Sequence, residues 1–98
     1  MPIIKIQVTE RDIAVGHRHD SCLCPIARAL RRRLKGRPLV SVGAEVCSVG
    51  DSGPRVLLPK EAQEFIKRFD ERLPVNAFEF DLDTDRRVTW TAPTITIF

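Results

Sequence analysis

No apolar run in this 98-residue chain approaches the roughly 20 residues needed to cross a bilayer. The opening MPIIKIQVT alternates apolar and polar residues, with no charged segment followed by an apolar one, so an ordinary secretory signal is not expected. A cytoplasmic protein with no membrane association is the default expectation. Cysteine is scarce: Cys22, Cys24 and Cys47 cannot all pair internally, and free thiols are the simpler reading. No glycine-rich phosphate loop follows a strand. Aromatic residues make up only 6% of the chain and none interleaves with its basic stretch, which weakens a base-stacking mode of nucleic-acid binding. No helix-turn-helix or zinc-finger pattern frames that stretch either.

What the chain does have is a globular composition, 43% hydrophobic and 30% charged. Its length suits one core and one domain, residues 1–98. The net charge of +3 is unevenly spread. Residues 1–50 carry nine basic and four acidic side chains, residues 51–98 seven and nine. Between Ile26 and Arg37 there are six basic residues and no acid. Such a block can attract a polyanion even where the whole-chain charge is modest.

Ile4, Ile6 and Val8 alternate with Lys5, Gln7 and Thr9 at the period of two that marks a half-buried strand. Thr9 with Asp12 three positions later makes a variant capping box, predicting a short helical turn from Glu10 to about Val15 that stops at Gly16. A second helix should begin at Pro25, because proline loses nothing at the first helical position and holds Cys24 extended before it. Ile26, Ala27, Leu30 and Leu34 then form one apolar stripe. Arg28, Arg32 and Lys35 fall opposite it, and Arg31 and Arg33 lie on its flanks. Gly36 is the expected stop before Pro38.

Short β-rich runs follow at Leu39–Val42, Ala44–Val49 and Arg55–Leu58. Gly43 suggests a bulge that lets Leu39–Val49 act as one long strand. The segment from Gly50 to Pro54 has hairpin-turn chemistry. From Pro59, Ala62, Phe65, Ile66, Phe69 and Leu73 recur at helical spacing until Pro74. Ala77–Leu82 reads as a strand with Phe78, Phe80 and Leu82 inward, and Arg87–Ala92 as another after a turn. Thr94–Phe98 continues extended, with edge-strand character.

Three groups carry possible chemistry. His17, His19, Cys22 and Cys24 are metal-ligand types, but their spacing fits neither common zinc pattern, and thiols packed as small hydrophobes beside loop histidines is the plainer reading. Cys24 at a helix start is the second candidate, since the helix dipole can lower a thiol pKa; C-x-C-P is nevertheless not the C-x-x-C redox motif. The third is the arginine face, whose planar donor forks suit phosphate or carboxylate. The candidate binding residues are Arg28, Arg31, Arg32, Arg33, Lys35 and Arg37, set against the alternative of a merely solvated face. Asp81, Asp83 and Asp85 resemble the opening of a calcium loop, but Arg86 stands where glycine is needed and Ala92 where glutamate is. Glu61 and Glu64 have no acid–base constellation around them.

Around Cys24-Pro25-Ile26-Ala27, and with TERDI, LPKEAQEFIKRFDERLPV and FEFDL, most of residues 1–82 resembles small uncharacterised proteins of bacteriophages and their actinobacterial hosts that carry a C-P-[IV]-A motif at a helix start. The resemblance implies a phage-type accessory protein in a bacterial cytoplasm and implies no activity. The combined expectation is an α+β domain, two main helices on a mostly antiparallel sheet of five or six short strands. It would act without a cofactor as a non-enzymatic module that binds nucleic acid or an acidic host protein through the arginine face. Inhibition of a host protein through a sheet edge or the same helix, and a thiol or zinc site, are the alternatives.

Overall fold

Alternation along the first strand and its partner sets the first layer. The computed structural model describes residues 3–34, 36, 39–50 and 55–88. Strand β1, Ile3–Val8, pairs antiparallel with β5, Phe78–Asp83, placing Ile6 opposite Phe80 and Ile4 opposite Leu82. Ile6, Val8, Phe80 and Leu82 are buried, while Lys5, Gln7, Glu79 and Asp81 face water, as the period of two requires.

Thr9 then starts α1, Glu10–Val15, through the expected capping box. Its hydroxyl accepts a hydrogen bond from the Asp12 amide at 3.2 Å, and the Asp12 carboxylate accepts one from the Thr9 amide at 3.0 Å. Helix α2, Pro25–Arg33, has Cys24 as its N-cap and Pro25 in its first turn. It is shorter than the sequence suggested: Leu34, expected in the stripe, is already an extended C-cap, and Gly36 lies beyond the helix with φ +78°. The buried stripe is also wider than expected, because Ala29 joins Ile26, Ala27 and Leu30 in the core. The cause is that α2 packs against both β1 and β2, so two of its sides are covered.

Strands β2, Val40–Val42, β3, Val46–Val49, and β4, Arg55–Leu57, follow as an antiparallel meander. The segment from Leu39 to Val49 is therefore not one long strand. Val42 pairs with Cys47, and the Gly43 amide donates to the Val46 carbonyl at 2.7 Å, so the chain reverses around Ala44 and Glu45. The hairpin joining β3 and β4 is present, and its tip, residues 51–54, lies outside the described residues.

Helix α3, Lys60–Asp70, follows Pro59 and buries Ala62, Phe65 and Phe69. Phe65 stacks on Phe69 at 6.0 Å and on Phe78 at 4.9 Å between ring centroids, and Phe78 on Phe80 at 5.6 Å, so a row of rings ties α3 to β5. The helix ends before Leu73, which is 46% exposed rather than part of the buried stripe. The Leu73 amide returns to the Arg68 carbonyl at 2.9 Å and the Arg72 amide to the Phe69 carbonyl at 3.1 Å. These two bonds make a Schellman C-cap with Arg72 in its left-handed position, at φ +64°.

After β5, the Asp83 carboxylate accepts the Asp85 amide and its carbonyl accepts the Arg86 amide, both at 3.0 Å. This acidic turn carries the chain into β6, Arg87–Val88, which pairs with β4. The α+β class holds and every strand pairing is antiparallel. Among the described residues six strands form two sheets, ordered β1-β5 and β2-β3-β4-β6. Residues 89–98, where the remaining strand expectations fall, lie outside the described residues. One buried cluster, from Ile6 and Ile26 to Val56 and Phe65, nonetheless spans both sheets and the two longer helices.

Two backbone positions give direct tests in urea denaturation. Arg72→Gly removes the left-handed strain and should raise stability by about 1 kcal/mol. Gly16 has an ordinary φ of −70°, but a Cβ there would lie 2.6 Å from the Asp12 carbonyl oxygen and 2.7 Å from Pro25 Cδ. Gly16→Ala should therefore cost roughly 1–3 kcal/mol, since α1 must move off α2. An unchanged midpoint in either variant would contradict the corresponding contact.

Candidate functional site

The loop of histidines and cysteines folds around Asp20, whose carboxylate accepts the Cys22 amide at 2.9 Å and the Leu23 amide at 3.0 Å. It is then fastened to the end of α3. Arg18 donates from Nε to the Phe69 carbonyl at 3.0 Å with its guanidinium 5.0 Å from the Phe69 ring centre. The His19 amide, at φ +57°, donates to Asp70 Oδ1 at 3.0 Å, with His19 Nδ1 3.8 Å from Asp70 Oδ2. On the other side the Val42 amide donates to the Ser21 carbonyl at 2.8 Å.

Among the described residues no three His, Cys, Asp or Glu side chains are grouped to hold a metal ion. His19 and Cys24 do line one small cavity, of about 200 Å³, with Asp20 and Asp70. Cys24 Sγ, however, accepts the Ala27 amide at 3.4 Å as the helix N-cap. Burial pushes its thiol above the ordinary value, outweighing the Ala27 and Ile26 amides, and the Asp70 and Asp20 charges push the same way. The lowering expected from the helix dipole is thus reversed. Cys47 sits in the core of β3, where burial drives its thiol up to about 11. Cys22 is only partly buried and lies 3.8 Å from the Ser21 hydroxyl.

The arginine face holds a feature that the sequence reading missed. Asp12, besides closing the capping box, is fully buried against α2. Arg32 grips it end-on, Nη1 to Oδ1 and Nη2 to Oδ2, each at 2.8 Å, and Nη2 also donates to the Gln7 carbonyl at 2.9 Å. Arg28 Nε stands 3.5 Å from Asp12 Oδ1 and is buried without a hydrogen bond. Arg28 and Arg32, one helical turn apart, therefore share one carboxylate, and neither is simply a solvated side chain. The signal was present in the spacing: arginines at i and i+4 beside a short helix with a carboxylate at its third position leave a positive surplus for that acid to meet.

Burial alone would raise the Asp12 carboxyl. The Arg32 hydrogen bonds and charge and the Thr9 amide and hydroxyl outweigh it, holding the group at about 2 instead of the ordinary 3.8. The Asp12 hydrogen bond correspondingly raises Arg32, against the opposing effect of its partial burial.

Arg31 is half-buried and Arg33 exposed, and among the described residues neither has an ion-pair or side-chain hydrogen-bond partner. Lys35 and Arg37 lie outside the described residues. Between β1 and α2 there is a cavity of about 340 Å³ lined by Lys5, Gln7, Ala29, Arg32 and Arg33. Lys5, unremarkable in sequence, is brought there by the strand. A larger cavity, about 510 Å³, lies between α3 and the β2–β3 turn, over Ile66 and rimmed by both signs of charge. Set against protein-family models, curated proteins and solved structures, the chain matches none.

The depressed Asp12 pKa fixes the sign of a pH effect. The charged form is favoured by folding, so its contribution is fully present above the unfolded value near 3.8 and is lost as pH falls through about 2. That contribution is on the order of 2 kcal/mol. In urea titrations from pH 7 to pH 2, wild type should lose this amount across the window, whereas Asp12→Asn should be less stable at pH 7 by about 3 kcal/mol and lack that portion of the acid limb. Parallel pH curves for the two proteins would show that Asp12 is not held in this way.

Proposed function

We propose that the chain is a small non-enzymatic accessory protein, of the phage type its sequence resembles, that binds an acidic macromolecule through the basic surface of α2. One observation carries this reading. Of Arg28, Arg31, Arg32 and Arg33, only Arg28 and Arg32 meet an acid in the ion pairs of the described residues, and both meet the same one, Asp12. A helix that serves only as a solvated face has little use for such a surplus, which repels itself and disfavours the compact state.

The partner-facing groups differ from those that the helix geometry alone selects. Arg28 and the inner edge of Arg32 are committed to Asp12, so they set the surface in place. Arg31, Arg33 and the outer edge of Arg32, whose side chain is 46% exposed, make the contact. Lys35 and Arg37 adjoin them in sequence and lie outside the described residues.

A second reading, capture of a host protein at a sheet edge, draws support from the β1-β5 sheet, which has only two strands among the described residues. The surplus of charge favours the first. It is tested by polarisation titrations against duplex DNA and against polyglutamate at two salt concentrations. Binding to at least one polymer, weakening steeply with salt, is expected. The double charge reversal Arg31→Glu with Arg33→Glu should weaken it by roughly tenfold or more while leaving the urea midpoint within about 0.5 kcal/mol of wild type. Absence of binding to both polymers at low salt, or indifference to the reversal, would refute this function.

A further inference from the structure

The cavity between β1 and α2 sharpens which acidic macromolecule is bound. We infer that the groove lined by Lys5, Arg32 and Arg33 is a subsite for the phosphodiester backbone of nucleic acid; this rests on the polyanion-binding function proposed above.

The argument turns on the donors Arg32 has left. A guanidinium offers a planar carboxylate two forked edges, one between Nη1 and Nη2 and one between Nε and Nη2. Asp12 takes the first edge with both nitrogens. The second is broken, because the other Nη2 hydrogen goes to the Gln7 carbonyl. Nε–H and the outer Nη1–H remain, and they lie on opposite sides of the group. An incoming Asp or Glu side chain can take only one of them, and so loses the bidentate grip that makes arginine–carboxylate contacts specific. A phosphodiester loses far less. Its charge is spread over outward-pointing oxygens that accept single donors from several directions, and the groove supplies these from two elements, Lys5 on β1 and Arg33 on α2, besides Arg32.

The acids near the groove do not cancel this charge: Asp81, directly across the ladder from Lys5, is exposed and among the described residues makes no ion pair with it. Asp12 is buried beneath it and already shared by two arginines. Glu79 is exposed on β5, accepts from Gln7 Nε2 at 2.7 Å and lies 3.8 Å from Lys5, a solvent-screened contact that a competing phosphate can replace. Among the described residues no aromatic side chain lines the groove, so contact is with the backbone rather than with stacked bases, and binding is indifferent to sequence. Among the described residues none of the large exposed apolar side chains lines it, whereas insertion into an anionic membrane interface would require them.

The test is the salt dependence of duplex-DNA binding by the full chain, with polyglutamate titrated in parallel. Lys5→Gln and Arg33→Gln should each lower the slope of log affinity against log salt by about 1, the loss of one phosphate contact. Lys60→Gln, an exposed charge on α3, should leave it unchanged. Unaltered slopes in both groove variants would overturn the subsite. Binding to polyglutamate without binding to DNA would overturn the phosphate assignment while leaving the general polyanion function standing. Failure to bind either polymer would remove both.

Discussion

The structure depends on one buried carboxylate. Asp12 sits in a helix of only six residues, too short to be stable alone, and its charge is removed from water. Such a group is tolerable only when it is paired and its lone pairs are satisfied. The Thr9 amide and the fork of Arg32 do this, and Arg28 adds a second cation at 3.5 Å. The same contacts join three elements, because Arg32 also reaches the carbonyl of Gln7 on β1. A single residue thus fixes how β1, α1 and α2 meet.

From that junction the rest of the architecture can be followed. Gly16 permits the end of α1 to lie against Pro25, so α2 starts close beside α1 and runs between the two sheets. Its buried sides hold the core together, and its remaining side carries guanidinium groups into solvent. The histidine–cysteine loop has a different task. It crosses from α1 to α2 and, through Arg18 and His19, fastens that connection to the C-terminal end of α3. Its donors complement the carbonyl end of the helix dipole. Residues that resemble a metal or redox motif in the sequence are in this fold the fixings of a loop.

Much of this could be read from local pattern. The alternation of Ile4, Ile6 and Val8, the Thr9–Asp12 box, the proline at the start of each longer helix and the spacing of Ala62, Phe65 and Phe69 report on neighbours in the chain, and each produced the expected element. What could not be read needed partners distant in sequence. The capping box accounts for Asp12 completely at the local level, so its bond to Arg32, twenty residues on, shows only when the i, i+4 arginines of α2 are set beside it. Likewise, alternation through Val40, Val42 and Val46 is the same whether Gly43 bends one strand or opens a turn between two. The division of the described strands into two sheets is also non-local, since β5 pairs with β1 from the far end of the chain and β6 reaches β4 only after the acidic turn. Lys5 joins the basic groove for the same reason: its place beside Arg33 comes from packing of β1 on α2, not from sequence proximity.

The dependence on Asp12 is measured most directly by a double-mutant cycle in urea denaturation at neutral pH, comparing Asp12→Ala, Arg32→Ala and the pair. Since each single change strands a charge that the other was satisfying, the double variant should be less destabilised than the sum of the singles, with a coupling of about 2 kcal/mol. Additivity within about 0.5 kcal/mol would mean that the two residues act independently, and the account of how this basic surface is held in place would be wrong.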